Sequence, residues 1–226
     1  MQEEYFARQY ALWGKETQEG LKTKKIAIIG CGGLGSTLAI TLGSSGIGEI
    51  HLVDFDVVGV HNIHRQIAFR LGDEGRYKAD VVGKLLKSRY EGAEVTAHTA
   101  TFCEFVKKNI EIDLLIDATD NLPSRASLEE YAKAHNIPWL YASVEAWHGQ
   151  VCLFENGEFA KSMVINDRKP EGIAPPIVAF IAAFEANIAL RYLAGLPVAS
   201  DILNYLYFDA NGELCHKKFT TPRRDS

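Results

Sequence analysis

The chain has 226 residues, 47% hydrophobic and 23% charged, the make-up of an ordinary soluble globular domain. At about 150 residues per domain it holds one large domain or two small ones. Lys and Arg number 24 against 29 Asp and Glu, and the net charge of −5 argues against a general nucleic-acid binder, which carries a basic excess.

Residues 1–22 read as an amphipathic helical arm, with Tyr5, Phe6, Tyr10, Leu12 and Trp13 set among Glu, Arg and Lys. Its crowded apolar positions suggest docking on another surface. Lys25–Ile29 is a short buried strand broken at Gly30, and a helix follows over about 33–44. A second strand, Glu49–Asp56, ends in acids. A polar connection carrying His61, Asn62, Ile63, His64, Arg65 and Gln66 leads to a helix at about 76–90. Val95–Thr99 is a strand with β-branched alternation, and a short helix near 102–110 leads to the buried strand Ile112–Ala118. Asn121 is placed as an N-cap with Pro123 in the first turn, opening a helix to about Asn136. Strands follow near 138–144 and 149–154, then a polar, flexible stretch at 156–172. Residues 175–195 are strongly apolar, but Glu185 and Arg191 leave no charge-free run near the ~18 residues a bilayer span needs, so they read as a buried core helix. Leu203–Phe208 and Leu214–Phe219 form a hairpin turned by Asn211-Gly212.

Alternating strands and helices over the first ~140 residues, with continuously apolar strands, point to an α/β fold. The expected architecture is a Rossmann-like, doubly wound, mainly parallel sheet with a C-terminal antiparallel extension, in a single domain over 1–226. The cysteines stand at 31, 103, 152 and 215, none closer than 49 positions to the next. No CxxC pair exists, so a structural zinc site of the usual spacing is not expected. A chain of this length that opens without a basic and then apolar leader reads as reduced and cytoplasmic. No membrane partner is expected.

The strongest motif is Gly30-Cys31-Gly32-Gly33-Leu34-Gly35, a GxGxxG directly after a strand and opening a helix. Such glycines bring a nucleotide's phosphates onto helix N-terminal amides, although they could merely permit close helix–strand packing. Asp54 ends the next strand, 21 residues beyond Gly33, where a ribose diol would sit. Arg65 and Lys78 then add two cations, and Asp120 stands beyond the carboxyl end of the strand at 112–118. Two cations with an isolated acid suit a triphosphate and magnesium better than a nicotinamide. Arg65 and Lys78 could instead be surface charges, and Asp120 could share helix capping with Asn121.

Taken together, Arg8-Gln9 in an N-terminal helix, GCGGLG, LVDFD ending at Asp56, Asn62 with Arg65-Gln66, Lys78, and Asp117-Ala118-Thr119-Asp120-Asn121 resemble the ThiF/MoeB/HesA family of adenylyltransferases, relatives of ubiquitin-activating enzymes. The resemblance covers nearly the whole chain. It implies an enzyme that uses ATP and Mg²⁺ to adenylate the C-terminal glycine of a small ubiquitin-like sulfur carrier protein ending Gly-Gly, in thiamine or molybdopterin biosynthesis. It further implies that Gly30, Gly32, Gly33 and Gly35 cradle the nucleotide and that Asp54 holds the ribose, beside Asp56. Asn62, Arg65, Gln66 and Lys78 would contact the phosphates. Asp120, next to Asn121, would organise the metal, and Arg8 would come from the other subunit of a homodimer, although it could be only an exposed charge on an amphipathic helix. Tyr5, Phe6, Tyr10 and Trp13 would then form an interface.

The sequence departs from the family pattern in lacking two zinc-binding Cys pairs and a cysteine in the crossover loop at 156–172. No zinc and no covalent sulfur relay are expected, and Cys31 and Cys152 read as core. His61 and His64 have no third ligand to make a metal site. Three other readings remain: a non-catalytic carrier-binding or pairing scaffold, activation of a small non-protein carboxylate on a tRNA-modifying branch, and a nicotinamide-dependent enzyme.

Overall fold

Strands β1 (Lys25–Ile29), β2 (Glu49–Val53), β3 (Glu94–His98), β4 (Leu114–Asp117) and β5 (Trp139–Glu145) run parallel because their apolar runs need cover on both faces, which crossover helices supply. The computed structural model describes residues 2–163 and 172–223. The eight-stranded sheet has the order β3-β2-β1-β4-β5-β6-β7-β8. β6 (His148–Phe154), β7 (Ile202–Phe208) and β8 (Leu214–Thr220) are the antiparallel extension expected from the sequence.

One face of the sheet is covered by α3 (Gly33–Gly43), α4 (Lys78–Arg89) and α8 (Pro175–Leu193), around a core that includes Ile26, Ile28, Leu38, Leu52, Ile116 and Ile181. The other is covered by α5 (Phe102–Phe105) and α6 (Leu122–His135), over Leu115, Trp139, Tyr141 and Phe154. Among the described residues, α8 is the one helix long and apolar enough to cross a bilayer. It lies instead against α3, β5 and β6, as the buried core helix expected from the sequence.

Register positions the site. Ile29 pairs with Val53 on one side and Asp117 on the other. Their successors Gly30, Asp54 and Ala118 therefore emerge together at one edge of the sheet. Strand order reverses between β1 and β4, the switch point where crevices open in such sheets.

The N-terminal arm differs from the expected single helix. α1 (Gln2–Tyr5) and α2 (Ala7–Leu21) are separated at Phe6, and Gly14 adds a kink, its φ of 84° closed to most side chains. Phe6 is 0% exposed, packed edge-on against Tyr90 with ring centroids 5.2 Å apart. Phe6 thus belongs to this chain's own core and is not free for an interface. The pattern of apolar residues could not say which surface would cover them.

The stretch expected to be flexible contains a short helix, α7 (Phe159–Ser162). Glu129 holds its start by accepting from the Phe159 amide at 2.7 Å. The part of that expectation falling on 164–171 lies outside the described residues. The last hairpin turns through five residues rather than two. Asp209 Oδ1 accepts from the Asn211 and Glu213 amides at 2.8 and 2.9 Å, and Gly212 takes the positive φ of 79°.

Candidate active site

A cleft of about 1070 Å³ opens at the switch point. It runs from the glycine loop and the ends of β2 and β4 to the β5–β6 hairpin at Glu145 and His148. Gly30, Gly32 and Gly33 line it. Gly30 has φ 94°, and a Cβ there would meet the Ala118 carbonyl oxygen at 2.7 Å. A Cβ on Gly35 would fall 1.8 Å from the Gly30 carbonyl oxygen, so Gly35 lets the turn fold onto α3 from behind the cleft wall. The first amides of α3 are left free of intrahelical acceptors and offer an anion-binding terminus.

Asp54 faces this cleft with its geometry already set. Its Oδ2 accepts from the Cys31 amide at 2.7 Å and its Oδ1 from the Asp56 amide at 2.8 Å. Burial pushes its carboxyl above the usual range, against those two bonds and the nearby Lys78. Each oxygen keeps a further lone pair, so a diol could still donate to both.

Lys78 is the first residue of α4, nearly buried, with Nζ 2.9 Å from Asp56 Oδ2. The half-buried Arg65 is steered by its own loop: Nη1 donates to the His61 carbonyl at 3.1 Å and to His64 Nε2 at 2.8 Å. His64 therefore acts on Arg65 in this arrangement. Gln66 lines the cleft with Oε1 buried and unpartnered.

Asn62 stands differently from the expectation. It is buried, its Oδ1 capping the local turn by accepting from the Gly59 amide at 3.1 Å. The Arg65 and Gln66 amides donate to the Asn62 carbonyl at 3.1 Å. Its side chain is spent on shaping the loop that carries Arg65 and Gln66, and it does not line the cleft.

Across the cleft, Asn121 is the N-cap of α6, its Oδ1 accepting from the Ser124 amide at 3.0 Å. Asp120 is exposed and lines the cleft, and among the described residues its side chain meets only a long 3.4 Å contact from Asn121 Nδ2. Among the described residues no group of three or more His, Cys, Asp or Glu is placed to hold a metal ion. A lone, lightly engaged carboxylate fits a magnesium ion carried mainly by substrate phosphates rather than an all-protein cage.

Arg125 is a cleft residue the sequence reading missed. It stacks over Tyr141 at 5.2 Å, and Nη2 donates to the Thr119 carbonyl at 2.8 Å. Its position on the first turn of α6, four residues after the cap, was the available signal. Arg8 is exposed and outside the cleft of its own chain. The arm packs instead beside Ser45 and Gly46, just beyond the C-terminal end of α3. Cys31 and Cys152 are buried, and burial pushes both thiols up, as expected of core cysteines rather than nucleophiles.

Comparison with known proteins places the chain in a family. The chain is 29% identical over 222 residues to the sulfur carrier protein adenylyltransferase of Thermus thermophilus, covering 88% of this chain and 80% of that one. It is 27% identical over 199 residues to the adenylyltransferase and sulfurtransferase MOCS3 of Caenorhabditis briggsae, covering 81% of this chain but only 49% of the relative. It thus spans about half the length of that relative. The crystal structure of E. coli MccB with ATP superposes with a TM-score of 0.85 at 23% identity, over 97% of this chain and 71% of that one, a likeness of fold. The ThiF family pattern matches residues 6–225, and the chain belongs to the ThiF family.

Proposed function

We propose that this protein is an ATP-dependent adenylyltransferase that activates the C-terminal glycine carboxylate of a small ubiquitin-like sulfur carrier protein and releases pyrophosphate. The observation that carries the reading is one cleft holding a helix N-terminus, a pre-bonded Asp54, the cations Lys78 and Arg65, and the facing Asp120. Two cations with a facing acid suit a triphosphate and magnesium better than the diphosphate of a nicotinamide dinucleotide. The relatives' names, sulfur carrier protein adenylyltransferase among them, support the same chemistry.

In this reading the carrier's carboxylate oxygen attacks the α-phosphorus, a new P–O bond forms, and the bond to the pyrophosphate oxygen breaks. No protein nucleophile takes part. The chain's work is alignment and charge neutralisation. The Gly30–Gly35 loop receives the phosphates on backbone amides, Asp54 accepts from the ribose hydroxyls, and Lys78 and Arg65 face the charge that builds on the departing pyrophosphate. A magnesium ion held by Asp120 and the phosphates would supply further charge neutralisation.

The reading includes a homodimer in which Arg8 reaches the neighbour's cleft. Two observations support it: Arg8 is exposed and does not line its own chain's cleft, and Phe55, Val57, Ile67, Leu71 and Tyr77 leave exposed apolar side chains in the connection beside the cleft. The carrier would serve thiamine or molybdopterin synthesis. A second substrate class is suggested by E. coli MccB, crystallised with AMPCPP and MccA; a free peptide C-terminus would use the same cleft. The test is ATP–pyrophosphate exchange with carriers ending Gly-Gly and, in parallel, unstructured peptides. Exchange with a carrier supports the reading; exchange with peptides alone moves it to the second class.

A further inference from the structure

Asp117, the last residue of β4, is 0% exposed and sits in the core with Trp139 and Tyr141. A buried carboxylate is costly unless bonded. Here Oδ1 accepts twice from one residue, from the Thr119 amide at 2.9 Å and the Thr119 hydroxyl at 2.7 Å. The third polar group of Thr119, its carbonyl, accepts from Arg125 at 2.8 Å. The preceding residue is pinned as well, the Ala118 amide donating to the Ile29 carbonyl at 2.8 Å. Every polar group of Thr119 is engaged, whereas among the described residues the next side chain, Asp120, has only the 3.4 Å contact from Asn121. Asp120 owes its place at the cleft to the turn behind it.

The extra bond to the Thr119 hydroxyl fixes the side-chain torsion of Thr119 as well as its backbone. We propose that Asp117 and Thr119 are positioning residues of the adenylation reaction: the buried carboxylate locks Thr119, and Thr119 sets where the Asp120 carboxylate stands against the nucleotide phosphates. The proposal rests on the adenylyltransferase reading for its turnover consequence, but not for its effect on metal binding.

Displacing a reacting or charge-bearing group by about 1 Å can cost ~10²-fold in rate. Thr119→Val keeps shape and removes the hydroxyl donor, so kcat for exchange should fall by about 10-fold while KM for ATP changes less than about 3-fold, because Asp54 and the glycine loop are untouched. Thr119→Ser restores the donor and should recover most of the rate. Asp117→Ala, which removes the acceptor, combined with Thr119→Val should be far from additive, since both remove the bond between the Thr119 hydroxyl and Asp117 Oδ1. Independently of any carrier, Mn²⁺ binding to the ATP-loaded protein, read by electron paramagnetic resonance, should weaken by about 10-fold in Thr119→Val and recover in Thr119→Ser. Thermal unfolding identifies any variant that has merely lost stability. Wild-type Mn²⁺ affinity and kcat in Thr119→Val, or a serine that restores neither, would overturn the proposal. Weakened Mn²⁺ binding in a protein that no Gly-Gly carrier activates would leave it standing and remove the carrier reading instead.

Discussion

Lys78 Nζ lies 2.9 Å from Asp56 Oδ2, yet the lysine side chain is 8% exposed and the carboxylate 54%. The pair is asymmetric: the cation is enclosed by the fold, while its counterion sits in water. An incoming triphosphate can take over Lys78, because its phosphate oxygens replace the carboxylate as counterion while Asp56, already half exposed, returns to solvent.

That asymmetry makes the two residues unequal. Lys78→Ala and Arg65→Ala should each lower exchange by about 10²-fold or more, the scale lost with one preorganised charge-stabilising group. Asp56→Asn should cost less than about 10-fold. Steady-state exchange rates separate these cases.

Asp54→Ala should act mainly on ATP affinity, because ribose contacts are similar in the ground and transition states. Calorimetric titration with ATP checks this. Unchanged affinity would remove the ribose assignment.

Two buried acids set a pH dependence. Burial pushes Asp117 up to about 6, opposed by Arg125 and the bonds from Thr119. Burial also raises Glu185 well above the carboxylate range, and both its oxygens lack hydrogen-bond partners among the described residues. A carboxyl whose folded pKa is raised adds stability at low pH, and that contribution is lost as pH rises through the raised value. For Asp117 the window is roughly pH 4 to 6. Glu185→Met, which keeps volume and removes the buried acid, should raise Tm at pH 8 by several degrees and by less at pH 5. An equal or lower Tm at pH 8 would show that Glu185 has a partner worth more than its burial costs.

Mixing inactive Arg8→Ala with inactive Lys78→Ala subunits should restore activity, because a mixed dimer has one cleft with both residues intact. Verified subunit exchange without recovered activity would rule out the shared site. Phe6→Ala should destabilise the chain by about 3–5 kcal/mol, the cost of emptying a core position of that size. An interface aromatic would instead alter only the dimer's dissociation.

What was legible in the sequence followed from strong local rules. The glycine loop, Asp54 at its strand end and the Asn121 cap were readable because steric need and capping allow few alternatives there. Continuous apolar runs likewise gave β1, β2 and β4. Misreadings arose where one residue type serves two ends. Phe6 looked like interface and is core, since an apolar pattern does not name its cover. Asn62, expected beside the phosphates, also caps its own turn through Oδ1, since the same carboxamide suits both. His64 steering Arg65, and Arg125 donating to the Thr119 carbonyl, depend on a loop path that spacing alone leaves open.

The most direct measurement is ATP–pyrophosphate exchange by the purified protein with and without a small ubiquitin-like carrier ending Gly-Gly. The account predicts exchange that appears only with the carrier, disappears when the terminal glycine is removed, and falls about 10²-fold in Lys78→Ala. Exchange that proceeds without any carboxylate substrate, or none with any carrier or peptide while ATP binds normally, would contradict it.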